Sequence, residues 1–247
     1  MKKRSFFLCL IALFTLAAQA SLATPDAAAS DAILVFSKTK GFRHQSIAAG
    51  KVALMKLGAE NRFQVDTTED ASAFTLANLK KYKTVVFLNT TGDVLNPDQQ
   101  TAFEKYIQGG GGFFGIHSAA DTEYDWPWYN KLVGAYFLSH PEQQSMDVIV
   151  WNKEHPTTSF LPNMWRRFDE LYNYKSIQPG IVVLATLDET SYEGGANGRM
   201  HPFIWYREFD GGRAYYTGGG HTDEAYVEPL FVQHLLEALK WTMRRTK

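Results

Sequence analysis

Gly109-Gly-Gly-Gly-Phe-Phe-Gly-Ile-His117-Ser118-Ala119 is the stretch that decides the fold, because a glycine-rich turn leads into an apolar run that ends at a histidine. The run Phe113 to Ile116 is short and continuous, as is typical of a strand buried on both faces of a parallel sheet. Ligands of such sheets bind outside the carboxyl ends of the strands, where a sharp turn can display one side chain. His117 takes that position, so we predict a functional histidine there.

The segments around this stretch alternate between strand and helix patterns. Predicted strands are Ala32–Phe36, Phe63–Thr67 and Thr84–Leu88, and predicted helices are Ser46–Leu57, capped by Gly58, and Pro97–Gln108, which begins after Asn96. Strands separated by helices at this spacing favour right-handed crossovers. The first half therefore predicts an α/β protein with a doubly wound, mainly parallel sheet.

The second half is less regular and richer in strands. Its strand-like segments are Met146–Trp151, Ile181–Leu187, Phe203–Phe209 and Ala214–Thr217, and Asp210-Gly-Gly212 is a hairpin signal between the last two. An amphipathic helix is predicted from about Pro229 to Arg244. No repeat, charge block or linker divides the chain, so we predict a single domain over residues 32–247.

The first 20 residues are typical of a secretory signal peptide. Basic Lys2, Lys3 and Arg4 precede a short apolar run, and Ala18-Gln-Ala20 is a small-x-small cleavage pattern. Residues 21–31 are rich in alanine and predict a disordered leader. An uncleaved membrane anchor is the alternative, but the apolar run is short for a membrane span. We expect a periplasmic or secreted protein with no membrane attachment after cleavage.

Charge and cysteine content exclude several classes of function. The chain has 25 Lys and Arg against 26 Asp and Glu, and removal of the three basic residues of the signal leaves 22 against 26, a net charge of −4. A mildly acidic protein is a poor nucleic-acid binder. Cys9 is the only cysteine and lies in the predicted signal, so the mature protein has neither a disulfide nor a thiol nucleophile.

Three histidines follow predicted strands and are the candidates for catalysis. His44, His117 and His221 would meet at one rim of the sheet if their strands are parallel neighbours. At neutral pH such a group can act as a general base, a general acid or a metal ligand, or can simply donate ring N–H groups to loop carbonyls. No HExxH pair is present, so a divalent metal would need ligands from distant loops. His234 lies in the last helix and is predicted to be structural.

Aromatic and acidic residues near these histidines suggest a sugar ligand. Aromatic faces stack on the C–H faces of a sugar, while carboxylates bind its hydroxyls. The predicted substrate-binding residues are Asp121, Trp126, His140, Glu170, Tyr172 and His201. Trp126 could equally cap the core. Asp121 and Glu170 could also form a glycosidase pair, which the sequence does not decide because that mechanism depends on their separation.

Six motifs in order give the chain a resemblance to the ThuA-like (trehalose utilisation) family, which has the fold of class I glutamine amidotransferases. They are Gly41-Phe-Arg-His44, Gly111-Gly-Phe-Phe-Gly-Ile-His-Ser118, Gly134-Ala-Tyr-Phe137 with His140-Pro141, Asp169-Glu-Leu-Tyr172, His201-Pro202 with Trp205, and Gly211-Gly-Arg-Ala-Tyr-Tyr-Thr-Gly-Gly-Gly-His221. The resemblance spans about Ala32 to Arg245. It implies a flavodoxin-like sheet and a role in handling disaccharides or their 3-keto derivatives, often alongside sugar dehydrogenases.

The resemblance also implies that the nucleophilic cysteine of amidotransferases is replaced here by His117, so glutaminase activity is not expected. We predict an exported sugar-processing enzyme in which His117 transfers a proton and His44 and His221 orient the substrate or hold a metal. Two alternatives remain, a non-catalytic carbohydrate-binding protein and a hydrolase that uses Ser118 as nucleophile. The sequence determines neither the sugar, the reaction type nor the oligomeric state.

Overall fold

A computed structural model describes residues 31–247, and the predicted signal peptide and residues 21–30 of the leader lie outside the described residues. Eleven strands and five α-helices follow one another along this part of the chain. In chain order they are β1 (Ala32–Phe36), α1 (Ile47–Asn61), β2 (Gln64–Thr68), α2 (Leu76–Leu79), β3 (Thr84–Leu88), α3 (Pro97–Gln108), β4 (Gly112–Ile116), α4 (Pro127–Val133), β5 (Tyr136–Ser139), β6 (Gln144–Val150), β7 (Met164–Asp169), β8 (Asn173–Lys175), β9 (Val182–Leu187), β10 (Pro202–Phe209), β11 (Gly212–Thr217) and α5 (Pro229–Thr242).

Nine of the strands form one sheet in the order β2-β1-β3-β4-β11-β10-β9-β6-β7. The first five strands of this order are parallel. The order of β2, β1, β3, β4 and β11 is that of a flavodoxin-like sheet, in which the carboxyl ends of the strands share one edge. The predicted α/β class and mainly parallel sheet are confirmed.

The strand-rich second half extends this sheet with antiparallel strands. β10 pairs with β11 through the predicted hairpin, whose turn residues Asp210 and Gly211 both have positive φ. β9, β6 and β7 then follow, each antiparallel to its neighbour. β5 and β8 form a separate two-stranded ribbon. The predicted irregular, β-rich half is confirmed.

Helices cover both faces of the sheet. On one face, Leu54 of α1 and Leu235 of α5 pack on Val35 and Ile116 of the strands. On the other face, α3 and α4 pack on alternate residues of the same strands, among them Phe113 of β4. Strands covered on both sides have no polar face, which explains their continuous apolar sequences. Among residues 31–247, no helix is both long and apolar enough to span a bilayer.

The predicted end of the first helix was wrong. α1 continues past Gly58 to Asn61, and the left-handed cap is Arg62, with φ of 59°. Gly58 is needed for a different reason, since a Cβ there would lie 2.5 Å from Val65 Cγ2 and 2.8 Å from the Phe63 carbonyl oxygen. It is therefore a packing glycine, which allows α1 to lie close to the start of β2.

Candidate metal and substrate site

Four residues meet at the carboxyl edge of the parallel strands. His44 lies in the loop after β1, His117 directly after β4, Glu170 directly after β7 and His221 in the loop after β11. One ligand atom from each can be chosen so that all four atoms lie within 4.8 Å of one another. We call these residues the His/Glu cluster. The three histidines therefore lie together at one edge of the sheet, as the sequence predicted.

The backbone at His117 has the strained turn that its sequence context predicts. Its φ is +49°, in the left-handed region that non-glycine residues seldom adopt, and a short 3₁₀ helix begins at the same residue. The ring is fully buried, and the carbonyl oxygen of His117 accepts a hydrogen bond from the Tyr216 hydroxyl at 2.7 Å. The turn therefore fixes the ring toward the other members of the cluster.

The three imidazole rings stand edge-on to one another at nearly equal distances. Ring centroids lie 4.9 Å apart for His44 and His117, 4.9 Å for His44 and His221, and 5.2 Å for His117 and His221. All three pairs are nearly perpendicular. This arrangement directs ring edges, where the nitrogen atoms lie, at a common region instead of stacking ring faces.

Three of the four ligand atoms have the separations expected around one metal ion. His117 Nε2 lies 3.2 Å from His221 Nδ1 and 3.3 Å from Glu170 Oε2, and the last two atoms are 3.0 Å apart. With metal–ligand bonds of about 2.1 Å, neighbouring ligand atoms are about 3.4 Å apart in a tetrahedral centre and about 3.0 Å apart in an octahedral one. Three imidazoles and one carboxylate suit divalent transition metals such as Zn²⁺, Mn²⁺, Fe²⁺ or Ni²⁺.

Hydrogen bonds outside the cluster orient two of its rings. His117 Nδ1 lies 3.0 Å from the carbonyl oxygen of Gly218, which only accepts, so Nδ1 donates to it, and in the neutral ring Nε2 is the nitrogen left to bind a metal. His44 Nδ1 lies 3.3 Å from the Ser118 hydroxyl. Outer contacts of this kind fix the tautomer of metal-binding histidines.

The electrostatic surroundings favour a neutral histidine and a charged carboxylate. Burial, reinforced by repulsion from His117 and His221, lowers the pKa of His44 to about 2. Burial opposes the charge on Glu170, but interactions with the rings of His117 and His221 outweigh it and lower the pKa of the carboxyl below its usual range. These are the protonation states that metal ligands need.

One buried carboxylate, Asp169, connects two loops of the cluster. Its Oδ1 accepts hydrogen bonds from the backbone N–H groups of Glu170 and His221, both at 3.0 Å. Its Oδ2 accepts from the N–H of Gly220 at 2.9 Å and from Arg167 Nη2 at 3.1 Å. Asp169 thus holds the end of β7 against the loop after β11.

The glycines before His221 make this close approach feasible. A Cβ at Gly219 would collide with the Arg167 guanidinium, and Gly220 has φ of +113°, which side chains rarely tolerate. The sequence Gly218-Gly219-Gly220 therefore lets the backbone run directly over the Arg167 and Asp169 pair. His221 follows at once and reaches the cluster.

A cavity of about 360 Å³ opens beside the His/Glu cluster. Its walls combine three cluster residues with aromatic, acidic and amide side chains. The lining residues are Phe42, His44, Asp121, Phe137, His140, Gln143, Glu170, Tyr172 and His221. The Tyr172 ring packs on His117 with centroids 4.2 Å apart, and His140 Nδ1 lies 3.2 Å from Glu170 Oε1. Four predicted substrate-binding residues, Asp121, His140, Glu170 and Tyr172, therefore share this cavity.

Two predicted substrate-binding residues lie elsewhere. Trp126 is buried, donates to Glu104 Oε1 at 3.0 Å and stacks on Trp128, so it covers the core instead of the cavity. His201 is fully buried and contacts Glu189 and the carbonyl oxygen of Tyr172, both at 2.8 Å. Its contact supports the backbone of a cavity residue from behind.

Two further residues from the sequence analysis are buried. Ser118 is fully buried and does not line the cavity, so its hydroxyl, although 3.3 Å from His44 Nδ1, is not placed to attack a substrate there, and the serine-hydrolase alternative gains no support. His234 is also fully buried, with Nδ1 3.0 Å from the Thr157 carbonyl oxygen, as expected of a structural histidine. Burial lowers the pKa of His234 to about 4.

Sequence reasoning missed the role of Asp169 and the cavity residues Phe42, Phe137 and Gln143. It also assigned Glu170 to substrate hydroxyls, whereas the carboxylate lies among the histidine nitrogens. The adjacent acids Asp169 and Glu170 indicated a possible site, but no pattern in the sequence predicts that the end of β7 lies beside His221. That proximity depends on the antiparallel half of the fold.

A flavodoxin-like sheet with three histidines and a glutamate at its strand ends defines the class of this protein: an α/β protein with a histidine-rich site at the carboxyl edge of its sheet. A sequence model of the ThuA family, described as trehalose utilisation, matches residues 32–242. The chain therefore belongs to the ThuA family. No curated protein matches its sequence.

Solved structures of ThuA-like proteins are similar to this chain. The chain is similar to a ThuA-like protein from Bacteroides uniformis, with 26% identity and a TM-score of 0.75 over 86% of this chain and 91% of that one. A ThuA-like protein from Parabacteroides merdae is 21% identical, with a TM-score of 0.72 over 88% of this chain and 91% of that one. At this lower identity, the similarity to the second structure shows only that the fold is shared.

Proposed function

We propose that this ThuA-family protein is a metal-dependent enzyme that processes sugars. The observation that carries the proposal is the His/Glu cluster, whose four ligand atoms lie within 4.8 Å of one another at the edge of a sugar-sized cavity. Catalytic metal sites keep a position open for substrate or water. The cavity on one side of the cluster supplies room for such a ligand.

The geometry supports a ligand role for His117 more than the proton-transfer role predicted from its position. Its ring is fully buried, and Nε2 faces His221 and Glu170. A general base must reach the substrate proton directly or through one water molecule. Proton transfer is therefore better assigned to another cavity residue.

Asp121 is that residue in this proposal. It lines the cavity, and its Oδ1 accepts a hydrogen bond from the Tyr124 hydroxyl at 2.5 Å. Burial raises the pKa of Asp121, an effect partly offset by the hydrogen bond from Tyr124. A carboxyl group whose pKa is shifted toward neutrality is a more effective base at physiological pH.

A 3-keto-glycoside is the substrate that best matches these groups. A ketone makes the neighbouring C–H acidic, so Asp121 can take the proton while the electron pair of that bond forms a carbon–carbon double bond and the π pair of the carbonyl bond moves onto the ketone oxygen. A divalent cation held by His44, His117, Glu170 and His221 would supply Lewis-acid stabilisation of the resulting negative charge. Tyr172, Phe137 and Phe42 offer aromatic faces to the sugar ring. The basic, apolar and small-residue pattern of residues 1–20 supports export as part of this proposal.

The test is turnover of 3-keto-trehalose and related 3-keto-glycosides, followed together with deuterium uptake at the carbon beside the ketone in D₂O. We expect activity to be lost with a chelator and restored by a divalent metal. Glu170→Gln removes a ligand without changing side-chain size, so activity should fall by more than about 100-fold, because even outer-shell changes cost about 10- to 100-fold. Asp121→Asn should cost roughly 100-fold or more and leave metal binding intact.

The matched control is Glu142→Gln. Glu142 is an exposed glutamate that is close in sequence to a cavity residue but lies outside the His/Glu cluster. It should behave as wild type. Activity that is unaffected by the chelator and by Glu170→Gln would overturn the proposal. Metal and sugar binding without product from any 3-keto-glycoside would favour the alternative, a carbohydrate-binding protein.

A further inference from the structure

The cavity at the His/Glu cluster continues into two further lobes along the protein surface. We call the cavity itself the first lobe. A second lobe of about 360 Å³ adds Gln45, Ser46 and Asp223 to its walls, and a third of about 640 Å³ adds Arg166, Phe168 and Glu228. Each has a volume typical of a small-molecule pocket.

Shared wall residues show that the three lobes form one groove. Phe42, Gln143 and His221 line both the first and the second lobe. Gln143, Thr222 and Glu224 line both the second and the third. The groove therefore runs from the His/Glu cluster, past the loop after β11, to the outer face of β7.

Two exposed aromatic side chains mark the groove at separate places. Phe42 is 66% exposed at the boundary of the first two lobes, and Phe168 is 53% exposed in the third. Between them the walls carry amide, hydroxyl and carboxylate groups, from Gln143, Thr222 and Asp223 among others. Aromatic platforms separated by hydrogen-bonding groups match a chain of sugar rings.

The charges of the groove select against anionic sugars. Asp223 and Glu224 are exposed in the second lobe, which contains no arginine or lysine among its wall residues. The two arginines of the third lobe are already paired, Arg166 with Asp147 and Arg167 with Asp169 and Glu228. A uronic acid or a sugar phosphate would therefore meet repulsion with no free cation to offset it.

We infer that the groove has room for three neutral sugar rings, one in each lobe, with the reacting ring in the first lobe beside the His/Glu cluster. The inference rests on the proposed function for the identity of the reacting end. Phe42 and Phe168 act as stacking platforms for the second and third rings. Phe42 packs on His44 with ring centroids 4.9 Å apart, so only the third ring would be held by a platform outside the first lobe, Phe168.

Calorimetry with sugars of one, two and three rings tests this inference. The probes are glucose with the neutral series cellobiose and cellotriose, maltose and maltotriose, and laminaribiose and laminaritriose, together with trigalacturonate as the anionic probe. In at least one neutral series the Kd should fall with each added ring. Phe168→Ala should weaken binding of the trisaccharide by about 3- to 10-fold and leave the disaccharide unchanged.

Met164→Ala is the matched control, because Met164 is 57% exposed on the same face of β7 but does not line the groove. It should bind all sugars as wild type does. Affinity that is independent of ring number in every series, tighter binding of trigalacturonate, or equal effects of Phe168→Ala and Met164→Ala would each overturn the inference.

The two proposals fail separately. If metal binding and turnover are observed but sugar affinity does not depend on ring number, only the extended groove is ruled out. If the protein neither binds metal nor turns over substrate but its affinity still rises with ring number, the groove is supported and the proposed enzyme activity is ruled out.

Discussion

At the scale of residues, the site depends on a buried ion pair that lies behind it. Asp169 and Arg167 are both almost inaccessible to solvent, and the guanidinium also packs against the Trp165 and Phe231 rings, 4.6 and 4.4 Å from their centroids. A buried charge is costly unless it is paired and hydrogen-bonded. Here the pair is retained because the same carboxylate binds the backbone of Glu170 and His221.

Asp169→Asn therefore should weaken metal binding although Asp169 is not a ligand. The amide group cannot accept all four hydrogen bonds, so the loops that carry Glu170 and His221 should lose their fixed separation. We expect metal affinity to fall by about 10- to 100-fold, as for other outer-shell changes. Calorimetric titration with Zn²⁺ or Mn²⁺, with circular dichroism to confirm folding, measures this effect.

Asp147→Asn is the control, because Asp147 also pairs with an arginine, the exposed Arg166, but contacts no residue of the cluster. If both variants bind metal as wild type does, Asp169 has no positioning role. Rescue of Asp169→Asn by excess metal would show that the variant retains the site and has lost only its preorganisation.

The candidate site could be predicted in part from single residues. His44, His117 and His221 were found because each follows a strand of the parallel half, where strand ends share an edge. Asp169 and Glu170 could not be given their roles in this way, because one ends and the other follows β7, which lies at the far edge of the sheet order.

At the scale of elements, four of the parallel strands, β1, β3, β4 and β11, were predictable because they are buried on both faces. β7 was missed because its pattern is inverted, with Met164 and Phe168 exposed while Arg167 and Asp169 are buried. Hydrophobic alternation predicts the opposite orientation for such a strand. The inversion places the Arg167 and Asp169 ion pair behind the site and leaves Phe168 exposed at the third lobe.

Gly58 gives an element-scale prediction. In an exposed helix a change from glycine to alanine stabilises by about 1 kcal/mol. In α1 the added Cβ would press on Val65 and the Phe63 carbonyl, and such overpacking costs about 1 to 3 kcal/mol. We therefore expect Gly58→Ala to lower the free energy of unfolding, as measured by urea denaturation.

Met55→Ala, an exposed position on the same helix, should change stability by no more than about 0.5 kcal/mol. A Gly58→Ala variant more stable than wild type would show that α1 and β2 do not approach as closely as described.

At the scale of the whole molecule, the fold is more predictable than the site. The alternating elements and the hairpin at Asp210 and Gly211 are local in sequence, so they indicated the α/β class and the strand-rich second half directly. The His/Glu cluster is not local, because its members come from four separate segments of the chain. Only the folded sheet brings them together.

A metal ion held by four distant segments should stabilise the whole domain. A ligand that binds only the folded state stabilises it by about 2.7 kcal/mol at 100 times its Kd, which corresponds to a rise of roughly 5 to 10 °C in Tm for a domain of this size. The ligands connect loops after β1, β4, β7 and β11, so the effect should appear as a single shifted unfolding transition.

The most direct measurement of the central claim is thermal unfolding of the metal-stripped protein with Zn²⁺, Mn²⁺, Co²⁺ and Ni²⁺, beside the His221→Ala variant. His221 is the least buried histidine of the cluster, with 15% of its side chain exposed, so its removal leaves the core intact. We predict that at least one metal raises the Tm of wild type with one-to-one stoichiometry and that His221→Ala loses most of the shift. No shift with any metal, or an equal shift in wild type and His221→Ala, would contradict the claim that this cluster is a metal centre.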